Sequence, residues 1–471
     1  MPNSSDWLRR MASSNKRWML RYAPAREATE MNKPHRSLAA QVKERLIQKG
    51  LEKRLKQIDA APTTQPRQED AAVPEAFTRF DQQPGFRQVR MLQEGAQRFG
   101  VENPFFHVHA GTAAAHSEIA GHPVINYGSY NYLGLSGHPR VNAAAKAAID
   151  RYGTSVSASR IVAGERPLHR NLERSIAELY GVDDALVMVS GHGTNISLIG
   201  HLLGPRDIVL HDEYAHNSIL MGIQISRAQR FSFRHNDMAD LEQLLQNHRH
   251  RAERLLIAVE GIYSMDGDYP DLAALIHLKK RYGAWLMIDE AHALGVVGQR
   301  GRGIAEHFGI DPREVDIWMG TLSKSLAACG GYVAGEKALI ENLRYLAPGF
   351  LYSVGMSPPV AAAAQAALDL LKAEPERVTT LQARGAYFFD RIRALGLDTC
   401  SSAGIAIIPV IFGSSLHAVR LSSELLRQGI HVQPIIYPAV PEKQARLRFF
   451  LSSTHSQADI DITLDALRAC L

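Results

Sequence analysis

Between about residues 150 and 350 the chain alternates short apolar runs with longer amphipathic stretches. The runs Ala185-Leu186-Val187-Met188-Val189, Asp207-Ile208-Val209-Leu210, Leu255-Leu256-Ile257-Ala258-Val259, Trp285-Leu286-Met287-Ile288 and Ile317-Trp318-Met319 are nearly continuous in apolar residues. Strands buried on both faces of a parallel sheet read this way. Stretches such as 168–180 and 195–203 are predicted as helices between them. The alternation points to an α/β fold with a mainly parallel sheet covered by helices. Pro358-Pro359 closes this region, and an alanine-rich helix over 360–371 leads into a smaller carboxyl-terminal part, where 406–411 and 446–451 read as strands. The expected division is a basic extension and linker over 1–75, an amino-terminal segment of the main body over 76–150, a large domain over 151–358 and a small domain over 359–471.

Composition narrows the class. With 471 residues and 45% hydrophobic content, the chain is long enough to bury a large core. It has no apolar stretch of about 18 residues that would span a membrane, and its polar, basic start is unlike a secretory signal. A cytoplasmic protein is expected. Cys329, Cys400 and Cys470 are too few and too widely spaced for a disulfide framework or a cysteine zinc site, so no metal is expected. The net charge of +5 is local: residues 1–60 hold 14 Lys or Arg against 6 Asp or Glu, a balance of +8, leaving −3 for the remainder. Leu38, Val42, Leu46, Leu51 and Leu55 mark a basic helix over 37–58. Such a helix packs on the main body, meets an acidic carrier protein, or makes peripheral contact with the inner, anionic face of a membrane. A polar, proline-bearing linker follows to residue 74.

The chemistry gathers around Lys324, in Gly320-Thr321-Leu322-Ser323-Lys324-Ser325. Asp289 ends one predicted strand and Lys324 follows another, which brings a carboxylate and an amine to one rim of the sheet, where open α/β sheets bind ligands. An aldehyde cofactor needs an amine to capture it, a carboxylate to keep its pyridine nitrogen protonated, and donors for its phosphate. Ser190-Gly191-His192-Gly193-Thr194 lies between a predicted strand and helix, where backbone N–H groups and the helix's positive end receive phosphate. Pyridoxal 5'-phosphate satisfies all three requirements. Asp289-Glu290-Ala291-His292 also spells a helicase box, but no phosphate-binding Gly-x-x-x-x-Gly-Lys-Ser/Thr loop accompanies it, and nucleic acid is not an expected partner.

Further motifs fall in a familiar order: Ser129-Tyr130-Asn131-Tyr132-Leu133-Gly134-Leu135, Ser157-Ala158-Ser159-Arg160, Ser190 to Asn195, Glu260-Gly261-Ile262-Tyr263-Ser264-Met265-Asp266-Gly267-Asp268, the Asp289 and Lys324 segments, Ser357-Pro358-Pro359 and Ala445-Arg446-Leu447-Arg448. From about residue 100 onward the chain resembles the α-oxoamine synthases, pyridoxal phosphate enzymes that join an amino acid to an acyl thioester with loss of carbon dioxide. The resemblance implies the fold-type I aminotransferase-like fold, with a mainly parallel seven-stranded sheet in a large domain and a smaller α+β carboxyl-terminal domain. It implies Lys324, His216 and Asp289 as catalytic residues, with His216 stacked on the cofactor ring. Gly191, His192 and Thr321 would hold the phosphate, joined by Ser353 from a second subunit of a homodimer; Val354 departs from a hydroxyl often found there. Ser264 and His292 would meet the cofactor's phenolic oxygen. Arg448, with Tyr130, would bind the amino acid carboxylate, and Arg446 is expected on the opposite face of its strand.

Tyr130 resembles the residue of serine palmitoyltransferases, which favours L-serine and a long-chain acyl thioester. The alternative is glycine or alanine with a fatty or polyketide chain on an acyl carrier protein in place of coenzyme A. Transamination and a noncatalytic partner subunit are weaker alternatives, the second because Lys324 is present.

Overall fold

The computed structural model describes residues 73–98 and 103–471. The basic helix expected over 37–58 and nearly all of the linker lie outside the described residues. Contacts divide the chain into two compact units, Met1–Asn103 and Pro104–Leu471. The described part of the first holds two short turns and one helix, Pro84–Arg98.

The second unit is built on seven strands: β1 (Asp184–Met188), β2 (Ile208–Asp212), β3 (Gln229–Phe233), β4 (Leu255–Glu260), β5 (Trp285–Asp289), β6 (Ile317–Thr321) and β7 (Gly331–Gly335). Their spatial order is β1-β7-β6-β5-β4-β2-β3. The run β6-β5-β4-β2-β3 is parallel, whereas β7 lies antiparallel to both β6 and β1. The sheet is thus the mainly parallel, seven-stranded one expected. The antiparallel strand follows from chain length: only residues 322–330 connect β6 to β7, too few for the crossover that a parallel return requires.

Alternation along each strand divides the core between two faces. Leu286 and Ile288 of β5 join one apolar cluster while Met287 joins the other; β6 splits Trp318 from Ile317 and Met319 in the same way. All six residues of β4 are buried. At about 1.5–3 kcal/mol for each fully buried large aliphatic side chain, these central strands are the part of the fold least tolerant of truncation.

The helices fall close to their expected places, at Pro167–Tyr180 and Pro358–Ala373. One begins earlier than its apolar pattern suggested, running Gly191–Leu202, because the Ser190 side chain caps it by accepting the Gly193 N–H at 3.1 Å. The expected boundary at 358/359 falls inside the second unit, at the start of the helix Pro358–Ala373. Toward the carboxyl end Ile407–Ile411, Arg446–Phe450 and Gln433–Ile435 form a three-stranded antiparallel sheet. A four-stranded sheet pairs His122–Asn126 with Ile430–His431, binding both ends of the unit together. Among the described residues no helix is long and apolar enough to cross a membrane.

Candidate active site

Asp212, Glu260, Asp289 and Thr321 are the last residues of β2, β4, β5 and β6, so the parallel sheet gathers its reactive groups along one carboxyl edge. Lys324 lies in the 322–330 connection, which closes on itself through Leu322 N–H to Gly330 O at 2.9 Å and Ala328 N–H to Leu322 O at 2.9 Å. Ser325 ties the loop down by donating to Leu294 O at 2.7 Å. The Lys324 amine stands 5.6 Å from the centre of the Tyr130 ring. Burial lowers its pKa to about 8 against the opposing pull of Asp289 and Glu260, so a free amine is accessible near neutral pH. Asp289 is buried, with Oδ1 accepting Ala291 N–H at 2.9 Å and Oδ2 accepting Asn195 Nδ2 at 2.8 Å.

The phosphate-binding candidates converge. A side chain at Gly191 would place its Cβ 2.6 Å from Thr321 Oγ1, and one at Gly331 would lie 2.7 Å from the Gly191 Cα. Only glycine permits this approach of β6 and β7 to the helix start. Thr321 Oγ1 donates to Gly330 O at 2.9 Å. His192 is exposed at the same helix start, its ring 6.1 Å from that of His216 and nearly perpendicular to it. Ser353 lines a cleft of about 460 Å³ together with Ser190 and Gly193 of its own chain.

On the facing side Arg448 donates to Ser264 O at 2.9 Å, while its buried Nε has no partner. A buried cation with a free donor is suited to an incoming carboxylate. Its guanidinium lies 4.6 Å from the Phe450 ring centre, and the Tyr130 ring stacks edge-on to Phe450 at 4.8 Å. His292 Nδ1 is 2.8 Å from the buried Tyr132 hydroxyl, and burial holds this imidazole well below its usual protonation range. The expectation for Arg446 is corrected. Side chains alternate along a strand, so positions two apart share a face. Arg446 turns to the same 264–268 loop as Arg448, donating to Met265 O at 3.2 Å and pairing with Asp266.

Several groups in the site carried no role in the sequence reading. Asn195 and Ser218 join Asp289 to His216 by hydrogen bonds. The signal for Ser218 was a histidine two residues before it at a helix start, but Asn195 resembles any polar helical residue. Glu260 is fully buried with an unpartnered Oε1, and burial together with Asp289 pushes its carboxyl well above the usual range. Its protonated form is therefore favoured relative to that of an exposed glutamate.

His235 ties the 264–268 loop to the sheet, with Nδ1 3.0 Å from Asp212 and Nε2 2.8 Å from Asp268. Burial would lower its pKa, but the hydrogen bonds to the two carboxylates outweigh it and raise the value to about 10. The stabilisation is therefore complete below the unfolded value of about 6.5 and is lost as pH rises through the folded one. The wild-type melting temperature should fall between about pH 6.5 and 10 more steeply than that of His235→Gln, measured under conditions where melting is reversible. Equal slopes would dismiss the clamp.

The residues present suit pyridoxal phosphate: a half-buried amine of lowered pKa, a carboxylate held by two N–H donors, a glycine-lined helix start, and a buried arginine with a free Nε. The profile of the aminotransferase class I and II family matches residues 122–467. The 8-amino-7-oxononanoate synthase 1 of Bacillus velezensis is 39% identical over 352 residues, covering 75% of this chain and 89% of that protein. The serine palmitoyltransferase of Sphingomonas wittichii superposes with a TM-score of 0.79 at 30% identity, covering 82% of this chain and 97% of the other. A serine palmitoyltransferase from S. paucimobilis, solved with pyridoxal phosphate and myriocin bound, gives the same score at 28% identity and the same coverage. Fold, site and relatives agree: the chain belongs to the aminotransferase class I and II family, as a pyridoxal phosphate-dependent acyltransferase of the α-oxoamine synthase type.

Proposed function

We propose that the enzyme condenses L-serine with a long-chain acyl thioester, releasing carbon dioxide and the thiol and forming an α-amino ketone. The observation that carries the reading is Tyr130, placed between Lys324 and the strand bearing Arg448 and Phe450, where it would meet the amino acid. When bound, the cofactor supplies an aldehyde for covalent capture of amines and an electron-withdrawing pyridinium ring. Lys324 Nζ would hold the cofactor's aldehyde carbon and serve as the base for the substrate's α-proton, roles suited by its lowered pKa. Asp289 would keep the ring nitrogen protonated. Arg448 offers its free Nε to the substrate carboxylate, His216 would cover the ring, and His292 and Ser264 would meet its phenolic oxygen.

A second reading is favoured by the curated relatives. 8-Amino-7-oxononanoate is itself an α-amino ketone, whose last two carbons and nitrogen match alanine. Titrating the holoenzyme with serine, alanine and glycine while following the cofactor band near roughly 420 nm separates the readings. Saturable change with serine at the lowest concentration supports the first, and a preference for alanine or glycine replaces it with the second. Arg448→Leu should raise the half-saturating amino acid concentration by about 10²-fold or more, through loss of a buried charge-assisted contact. An unchanged value would remove Arg448 from carboxylate binding.

The same reading includes a homodimer. Ile161, Val162, Tyr352 and Val354 are exposed apolar residues, and Gly355 N–H bonds Ala158 O at 2.9 Å, which brings their two segments together. A second copy would cover this surface beside Ser353. A one-chain mass by analytical ultracentrifugation at micromolar concentration would reject it.

A further inference from the structure

Asn195, on the helix Gly191–Leu202, is only 1% exposed and offers its single amide nitrogen to two acceptors, Asp289 Oδ2 at 2.8 Å and Ser218 Oγ at 2.9 Å. Its Oδ1 is buried without a partner. Turning the amide over would set that oxygen against the carboxylate, so the orientation is decided by Asp289. Ser218 Oγ therefore accepts from Asn195, and its own proton is left for His216 Nδ1, 2.7 Å away. The Ser218 backbone N–H approaches the same nitrogen at 3.3 Å. Two donors converge on Nδ1, so a proton there would face both of them.

We infer that Asn195 is a positioning residue that links the carboxylate serving the cofactor nitrogen to the imidazole covering the ring, and that through Ser218 it locks His216 as the neutral tautomer protonated on Nε2. The inference rests on the cofactor reading for its consequence, but the lock consists of protein atoms alone. It leaves the remaining proton of His216 on Nε2 and withholds a second proton from Nδ1. Desolvation favours the same neutral form, outweighing the opposing pull of Asp289. One side chain thus sets both Asp289 and, through Ser218, His216, which separate mutation of either group would not reveal.

The test is nuclear magnetic resonance of the ring nitrogens in ¹⁵N-histidine-labelled protein, with and without cofactor, the His216 signals being assigned by their loss in His216→Gln. The expected wild-type pattern is an unprotonated Nδ1 and a protonated Nε2 in both forms. Asn195→Ala and Ser218→Ala should move these signals toward mixed tautomers, and Ser218→Thr, which keeps the hydroxyl, should restore them. Asn195→Ala should also shift the pH midpoint of the cofactor band by about one unit, as loss of a hydrogen bond to a charged group implies. A protonated Nδ1 in the wild type, or an Asn195→Ala protein with wild-type signals and midpoint, overturns the proposal. A wild-type protein with no cofactor band overturns the functional reading instead, and the cofactor-free spectrum still decides the tautomer.

Discussion

Lys324→Ala should reduce turnover by on the order of 10⁴-fold and abolish the band of lysine-bound cofactor near roughly 420 nm. The amine would have two tasks, capture of the aldehyde and removal of the α-proton. Arg448, a buried cation of the site, stays protonated and serves neither task. Burial already works against the Lys324 charge, lowering its pKa to about 8, so truncation also relieves a desolvation cost. The variant should consequently fold as well as the wild type, with an unchanged or slightly higher melting temperature. Loss of turnover with an intact fold would separate chemistry from structure. Turnover within about tenfold of wild type would remove Lys324 from the mechanism, since a positioned acid-base group alone contributes about 10²–10⁴-fold.

Asp289→Asn should have the second largest effect, a loss of about 10²–10³-fold in turnover, the scale for removing a preorganised electrostatic partner in a water-excluded site. Both carboxylate oxygens are already committed as acceptors, to Ala291 N–H and Asn195 Nδ2. An amide of the same shape must turn its NH₂ toward one of these donors, and it carries no charge for the pyridine nitrogen. Cofactor should therefore be retained less well on dialysis, and the absorbance of what remains should shift. Wild-type turnover and retention together would place the ring nitrogen elsewhere. An intermediate result, weak retention with turnover restored by excess cofactor, would assign Asp289 to binding more than to activation.

Much of this protein was legible in its sequence because its central strands are buried on both faces. Such strands must be apolar throughout, so β4, β5 and β6 stand out as continuous runs and the residues ending them are placed by chain order alone. Asp289 and Lys324 could be assigned to one edge for that reason. Gly191 was also visible as a helix-start glycine, and only residues without a Cβ allow the backbones at Gly191 and Gly331 to approach.

Other features arise only when distant segments meet. Asn195, Ser218 and Asp289 are separated by up to 94 positions, and nothing local distinguishes that asparagine from one facing solvent. His235 becomes a persistent cation only between Asp212 and Asp268, and the Glu260 carboxyl is pushed upward only inside the folded core. The shared face of Arg446 and Arg448 follows from strand geometry, but their common partner, the 264–268 loop, does not. The sequence by itself determined the α/β alternation and the carboxyl-edge placement of Asp289 and Lys324, because burial constrains residue type position by position, and its ordered motifs carried the resemblance that implies the reaction class. Tertiary structure alone decided protonation states and hydrogen-bond partners, because desolvation and charge act through space between segments that chain order leaves unrelated.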